Sequence, residues 1–231
     1  MSVHEMAMPT VVLHERTFVS KVYGWMAIAL VITAFVAMAV ASSEAAAKLI
    51  LANRGLFYGL LIGEVVLVIA LTAAIGRMSA TTATVVFVIY AAANGVTLSL
   101  IFLVFTAESI ASTFFVTGGT FGAMSLYGYY TKRDLTSIGN LCFMALIGLI
   151  IASLVNLFLM NPMLYWVTTY VGILIFVGLT AYDTQKIKRI AMAGIEEGDA
   201  AQKGAILGAL ALYLDFINLF LLFLRLFGRR R

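Results

Sequence analysis

Charge is scarce in this chain. Only 11% of its 231 residues are Asp, Glu, Lys or Arg, less than half of the roughly 25% found in soluble domains. What charge there is lies in short clusters between apolar runs, so the formal net charge of +4 reads as anchoring at a membrane surface. It does not read as a nucleic-acid face. Cysteine is nearly absent. The single Cys142 can form neither an intramolecular disulfide nor a cysteine metal cluster, and it leaves the redox compartment unreadable. It is expected to act as a small buried hydrophobe. Both histidines, His4 and His14, stand in the N-terminal leader, and neither belongs to an H-E-x-x-H zinc motif. No phosphate-cradling glycine loop with a following lysine occurs, and no serine, histidine and acid arrangement lies within an apolar run. Enzyme chemistry and a resident cofactor are therefore not expected.

Apolar sequence fills the space that charge leaves. The chain is 63% hydrophobic, with a mean hydropathy of +1.05. A soluble core cannot hide so much apolar surface at this length. A membrane helix needs about 20 mostly apolar residues. The runs predict seven: Val22–Ala41, Leu56–Ile75, Ala83–Phe105, Ser109–Tyr130, Ile138–Met160, Met163–Tyr182 and Gly204–Phe227. Strands would alternate over about 10 residues, whereas these runs are continuous and twice as long. The expected organisation is a leader over 1–21, a transmembrane domain over 22–228 and a basic tail, Arg229-Arg230-Arg231. Ala39-Val40-Ala41 resembles a signal cleavage site, but the preceding run is longer than a signal h-region, so the first helix is expected to be retained. The other connections are short: Asn161-Pro162 punctuates the fifth and sixth spans. The longest, Asp183–Lys203, reads as a mixed-charge solvated loop containing Glu196-Glu197-Gly198-Asp199.

Lys and Arg fix the expected orientation. The loops after the even-numbered spans carry Arg77, Lys132, Arg133, Lys186, Lys188, Arg189 and Lys203; the loops after the odd-numbered spans carry only Lys48 and Arg54. That asymmetry places the N-terminus in the cytoplasm. Seven crossings then put the C-terminus outside, which its three arginines oppose.

Polar residues inside the apolar runs carry the functional argument, since an ionisable group at a membrane helix centre costs at least about 2.5–3.5 kcal/mol. Asp215 is the clearest case. With Asn218, Leu222 and Arg225 it forms a stripe on one helical face. It serves either as interhelical glue or as a functional acid. Asp183 closes the sixth span and is either a solvated helix-end residue or a partner of Asp215. Two carboxylates in contact resist joint ionisation and titrate as a pair. Glu64, in mid-span, suits a cation path, because hard cations such as calcium favour oxygen ligands; the alternative is a protonated acid hydrogen-bonded between helices. Asn218 is a second candidate for that path. Asn94 and Asn156 are candidates for lining it or for interhelical bonding. Arg77 is a candidate counter-ion for the aspartates or a simple interfacial anchor. Glycines at Gly118 and Gly122, and at Gly204 and Gly208, have the spacing that lets helix backbones approach. Tyr23, Trp25, Tyr165 and Trp166 stand at span ends, as interfacial aromatics do.

Three stretches are similar to the Bax inhibitor-1, or transmembrane Bax inhibitor motif, family. They are Gly178-Leu179-Thr180-Ala181-Tyr182-Asp183-Thr184-Gln185-Lys186-Ile187, then Ala209-Leu210-Ala211-Leu212-Tyr213-Leu214-Asp215-Phe216-Ile217-Asn218-Leu219-Phe220 followed by Leu224-Arg225-Leu226-Phe227-Gly228, and Phe121-Gly122-Ala123-Met124-Ser125-Leu126-Tyr127-Gly128 leading into Lys132-Arg133-Asp134-Leu135. The chain most resembles bacterial inner-membrane members. The resemblance implies an all-α membrane protein, a bundle of seven transmembrane helices with the last helix central. It also implies a proton-sensitive calcium leak, with Asp183 and Asp215 as a di-aspartyl pH sensor and Glu64 at the cation path. The family's arginine partner is matched only loosely by Arg77. Some bacterial relatives suggest a different role, in which the protein binds and regulates a membrane partner such as a protease or stress factor.

Overall fold

The computed structural model describes residues 3–193 and 198–231, with side chains from Glu15 onward except at positions 47, 51 and 54. The side chains of His4, His14 and Arg54, and all of Glu196 and Glu197, lie outside the described residues. Regular structure among the described residues is helical: α1 (Val3–Ser42), α2 (Glu44–Ala52), α3 (Arg54–Ala74) with a 3-10 turn at Ile75–Arg77, α4 (Ala80–Leu98), α5 (Ile101–Val104), α6 (Ala107–Tyr130), α7 (Thr136–Leu159), α8 (Pro162–Met192) and α9 (Asp199–Phe227).

Local chemistry sets the boundaries. Ser43, Asn53 and Ser79 cap α2, α3 and α4 by accepting from the backbone N–H groups of Ala46, Leu56 and Thr82. The turn between α7 and α8 is built from asparagine. Met160 ends α7 in the left-handed conformation at φ 48°, Asn156 Oδ1 accepts from the Asn161 N–H at 2.9 Å, and Asn161 Oδ1 accepts from Met163 and Leu164. Pro162 then occupies the first position of α8, where its missing N–H leaves no bond unmade.

Six helical segments among the described residues are long and apolar enough to cross a membrane: Glu15–Ser42, Gly55–Arg77, Ala80–Val104, Thr136–Leu159, Pro162–Met192 and Asp199–Phe227. The remaining long helix, α6, covers the anticipated fourth span and has 24 residues, but its composition falls short. The reason is its buried face, Ser109, Thr113, Thr117, Phe121, Ser125 and Gly128, a run of small and hydroxyl-bearing residues at helical spacing. Large apolar side chains stand on the outside of these helices, Phe115 78% and Phe158 87% exposed among them. That surface suits lipid and not water.

The anticipated long loop after Asp183 does not exist as such. Helix α8 continues nine residues past Asp183 to Met192, and α9 begins at Asp199. The extension is amphipathic: Thr184, Gln185, Ile187 and Ala191 are buried, while Lys186, Arg189 and Ile190 are exposed. Asp183 therefore sits well within a helix and not at its end.

Packing divides the chain into two compact units. The first comprises Met1–Thr106, Ile190–Tyr213 and Arg230–Arg231. In it α4 packs on α1 and α3. Gly95 makes this possible, because a Cβ there would lie 2.7 Å from the Thr33 carbonyl oxygen. Phe87 and Tyr213 are fully buried and meet edge to face. Asp199 Oδ1 accepts from the Ala80 N–H at 2.8 Å, adding a second cap to α4. The backbone at Phe105 pairs with Arg230, and Arg231 N–H donates to the Val104 carbonyl at 3.0 Å.

The second unit comprises Ala107–Arg189 and Leu214–Arg229, so α9 contributes its first half to one unit and its second half to the other. Here α8 and α9 share a core of Ile175, Phe176, Leu179, Leu219, Leu222 and Phe223. Phe114 and Phe121 of α6 each meet Phe216 of α9 with ring centroids 5.4 Å apart. Arg229 N–H donates to Ser109 Oγ at 2.9 Å. Lipid is as apolar as leucine, so shape and hydrogen bonding hold such helices together more than the hydrophobic effect does. Close approaches are made by glycines other than the expected Gly118 and Gly122. Gly118 and Gly122 face open space. Added Cβ atoms at Gly128 and Gly139 would lie 2.2 Å from the Ala181 carbonyl oxygen and 2.4 Å from the Tyr182 ring. At Gly178 the contact would be Cys142 Sγ at 2.6 Å. Gly128→Ala is therefore expected to lower stability by about 1–3 kcal/mol through overpacking against backbone, with Gly118→Ala near neutral; melting of the two purified variants in detergent checks the difference.

Candidate functional site

Two clusters of buried polar side chains stand out, one in each unit. In the first unit Glu64 projects from α3, only 9% exposed. It accepts a hydrogen bond from Asn94 Nδ2 at 3.2 Å and a short one from Thr97 Oγ1, both on α4. Asn94 and Thr97 are three residues apart and so share a helical face. Tyr90, one turn earlier on α4, stands beside Asn94 and meets the Tyr213 ring edge to face at 5.7 Å. The Tyr213 hydroxyl bonds Thr33 Oγ1 at 2.7 Å, and Thr33 donates onward to the Ala91 carbonyl at 2.8 Å. Glu64 thus joins α3 to α4, and Tyr213 with Thr33 joins the first half of α9 to α1 and α4; the ring contact of Tyr90 with Tyr213 lies between the two sets, and Asn94 Oδ1 has no partner among the described groups. The Glu64 hydrogen bond with Asn94 runs between α3 and α4. Sequence reading missed Thr33, Tyr90, Thr97 and Tyr213, because each is neutral and ordinary in an apolar helix.

In the second unit Asp215 of α9 is 4% exposed, and its Oδ2 has no partner among the described protein groups. Asp183 of α8 is half-buried and meets it side chain to side chain, close enough for the two acids to share a hydrogen bond. Two carboxylates cannot hydrogen-bond to each other without a proton, since an ionised carboxylate has no donor. The positive charge that reaches Asp183 is Lys186, three residues further along α8. Cys142 of α7 lies within electrostatic reach of Asp215. The glycine contacts at Ala181 and Tyr182 bracket this stretch of α8. Arg77, the candidate counter-ion, is exposed on the 3-10 turn after α3, in the first unit.

The rest of the predicted stripe diverges from Asp215. Asn218 is half-buried, and its Nδ2 donates to the Leu214 carbonyl of its own helix at 2.8 Å. With Leu222 and Arg225 it lines a cavity of about 340 Å³ against α7 and α8. Asn156 caps the turn after α7.

A further network fastens the turn between α6 and α7 to the extension of α8. Gln185 accepts from the Leu135 N–H at 2.9 Å and donates to the Arg133 carbonyl at 2.8 Å. Arg189 pairs with Asp134 at 2.5 Å. Hydrogen bonds from Thr136, then the Arg189 guanidinium, hold the Asp134 carboxyl well below the usual carboxylate range.

The model of the family described as "Inhibitor of apoptosis-promoting Bax1" matches residues 15–231. The chain belongs to this family. It is 55% identical to Inner membrane protein YbhL of Escherichia coli over 218 residues, covering 94% of this chain and 93% of that one. It is also 48% identical to a protein of Rickettsia prowazekii over 219 residues (94% and 91% covered) and 42% identical to one of Borreliella burgdorferi over 220 residues (95% of each). Glu64, Asp183 and Asp215 all fall within the span matched by the Bax inhibitor family model.

Thr97→Val leaves a buried Glu64 oxygen short of a donor and is expected to destabilise by about 1–3 kcal/mol. In the Glu64→Leu background the same change is expected to cost much less, a non-additivity that a double-mutant melting cycle detects. The link through Asp134 has its own pH signature. Its depressed carboxyl means the contribution is present above the usual carboxylate range, survives mild acid and is lost only as pH falls to the lowered value. An NMR titration of the Thr136 amide is expected to show that acid-resistant shift, and Asp134→Asn to abolish it.

Proposed function

We infer that this Bax inhibitor family protein is a pH-sensitive cation leak pathway, with calcium as the transported ion, of the bacterial inner membrane. The observation that carries the reading is the contact between Asp183 and Asp215 in the interior of the second unit. One proton held between them joins α8 to α9. Once it leaves, two charges about 4 Å apart repel by roughly 4 kcal/mol at an effective dielectric near 20. That approaches the roughly 5.5 kcal/mol needed to invert a two-state population from 1:99 to 99:1. Asp183 and Asp215 are thus the gate, and Lys186 and Cys142 are the neighbouring groups that bias it. Glu64, with Asn94 and Thr97, supplies oxygen atoms of the kind a hard cation selects, and Asn218 borders the cavity beside the last helix. Localisation follows the name of the Escherichia coli relative, an inner membrane protein.

Seven crossings, with the last helix central, complete the reading. Support for the seventh comes from parity. Arg229 bonds Ser109 at the start of α6, so the chain ends on the side from which α6 sets out. Helices α7, α8 and α9 are each able to cross, and three crossings alone would end on the wrong side. A crossing α6 restores the balance. Helix α9 is also the most buried of the spans, at 67% of its most apolar window. The lysine and arginine asymmetry supports a cytoplasmic N-terminus.

Calcium-loaded proteoliposomes test the gate. Wild-type flux is expected to rise by at least tenfold as pH climbs through the titration of the pair, and Asp183→Asn or Asp215→Asn to flatten that step. An unchanged pH profile in both variants would sink the gate. Absence of flux in the wild type, together with a membrane protein that stays bound through purification, would replace it with the regulatory role.

A further inference from the structure

The second unit holds an open crevice between the α7–α8 turn and the end of α9. It has a volume of about 550 Å³ and is lined by Ser153, Asn156, Asn161, Tyr165, Thr168 and Arg225 among others. Arg225 is exposed in the last turn of α9 and makes no ion pair among the described residues. Its guanidinium lies over the Tyr165 ring at 4.8 Å. Stacking uses the face of the group and leaves its N–H donors free along the edge.

The asparagines are polarised in the same sense. The amide oxygen of Asn156 is taken by the Asn161 N–H, and that of Asn161 by Met163 and Leu164. A backbone N–H can only donate, so these assignments are unambiguous. Both lone pairs of the Asn161 oxygen and one of the two on Asn156 are thus in use. The crevice therefore presents a cation and two amide NH₂ groups against a single remaining asparagine lone pair. Such a set selects an anion.

Depth and shape narrow the anion. The α7–α8 turn and its neighbours Tyr165 and Trp166 stand where a chain leaves the bilayer. From Ser153, Leu157, Thr168 and Arg225 the crevice runs on into the 340 Å³ cavity, whose walls include Leu146, Leu149, Ile150 and Leu154. One end is polar and cationic and the other is apolar, and both open toward the lipid-facing surface. We propose that this crevice binds an anionic phospholipid, with its headgroup phosphate on Arg225, Asn156 and Asn161 and an acyl chain along α7. Arg225 and the asparagines fix the lipid at a point where α7, α8 and α9 meet.

Native mass spectrometry of the full-length protein, titrated in mild detergent with phosphatidylglycerol or phosphatidylcholine, tests this. Phosphatidylglycerol is expected to bind on the order of tenfold tighter, the worth of one charge-assisted hydrogen-bonding group. Arg225→Ala is expected to erase the preference. Asn156→Asp keeps the oxygen that caps Asn161 but replaces the donor with a negative charge, and is expected to erase it too while leaving the fold intact. Inorganic phosphate is expected not to compete. Equal binding of the two lipids, a preference that persists in both variants, or displacement by inorganic phosphate would each overturn the proposal.

Discussion

The contact between two acids inside an apolar protein is the constraint around which the second unit is organised. Asp215 is buried and faces Asp183 on the adjoining helix, and the two cannot both be ionised there without strong repulsion. Several contacts near the pair hold α8 in place. Helix α8 runs on past Asp183, so the acid is held in a rigid element and not in a loop. Gly128 and Gly139 bring α6 and α7 up to the backbone and ring immediately before it. Gln185 and Arg189, on the next turns, fasten the same helix to residues 133–136.

The first unit handles its buried acid in a different way. Glu64 is satisfied by neutral donors on α4, and the Tyr213–Thr33 hydroxyl pair ties the first half of α9 to α1. Hydrogen bonds of this kind help fix helices in one arrangement. Membership of the Bax inhibitor family says that this chain shares its plan with bacterial relatives across nearly its whole length. The chemistry of the two clusters goes further and suggests what that plan is for.

Much of this was legible from residue types alone. Apolar runs located most spans to within a few residues, because hydrocarbon tolerates little else. Lone acids such as Asp215 and Glu64 announce themselves for the same reason. Features that depend on three-dimensional neighbours did not. Gly118 and Gly122 had the favoured spacing but face open space, whereas Gly128, Gly139 and Gly178 make the contacts, and no spacing rule separates the two groups. The extension of α8 was hidden by its charges, which read as a loop until Thr184, Gln185, Ile187 and Ala191 are recognised as one buried stripe. Helix α6 buries Ser109, Thr113, Thr117 and Ser125, the reverse of what a hydropathy scale rewards. A search for small and hydroxyl residues at intervals of four would have found it.

The crowded glycine contacts along α8 carry a mechanical consequence. A helix touched at Ala181 by backbone, at Tyr182 through its ring and at Gly178 by a sulfur atom has little freedom to roll or slide, since each displacement drives atoms into overlap. The partner surface on α9 is different in kind. Phe216 and Phe220 meet Phe114 and Phe121 through tilted ring edges, and such contacts persist over a range of angles. Of the two helices α8 is therefore the stiffer and α9 the more compliant, like the fixed and the free jaw of a clamp.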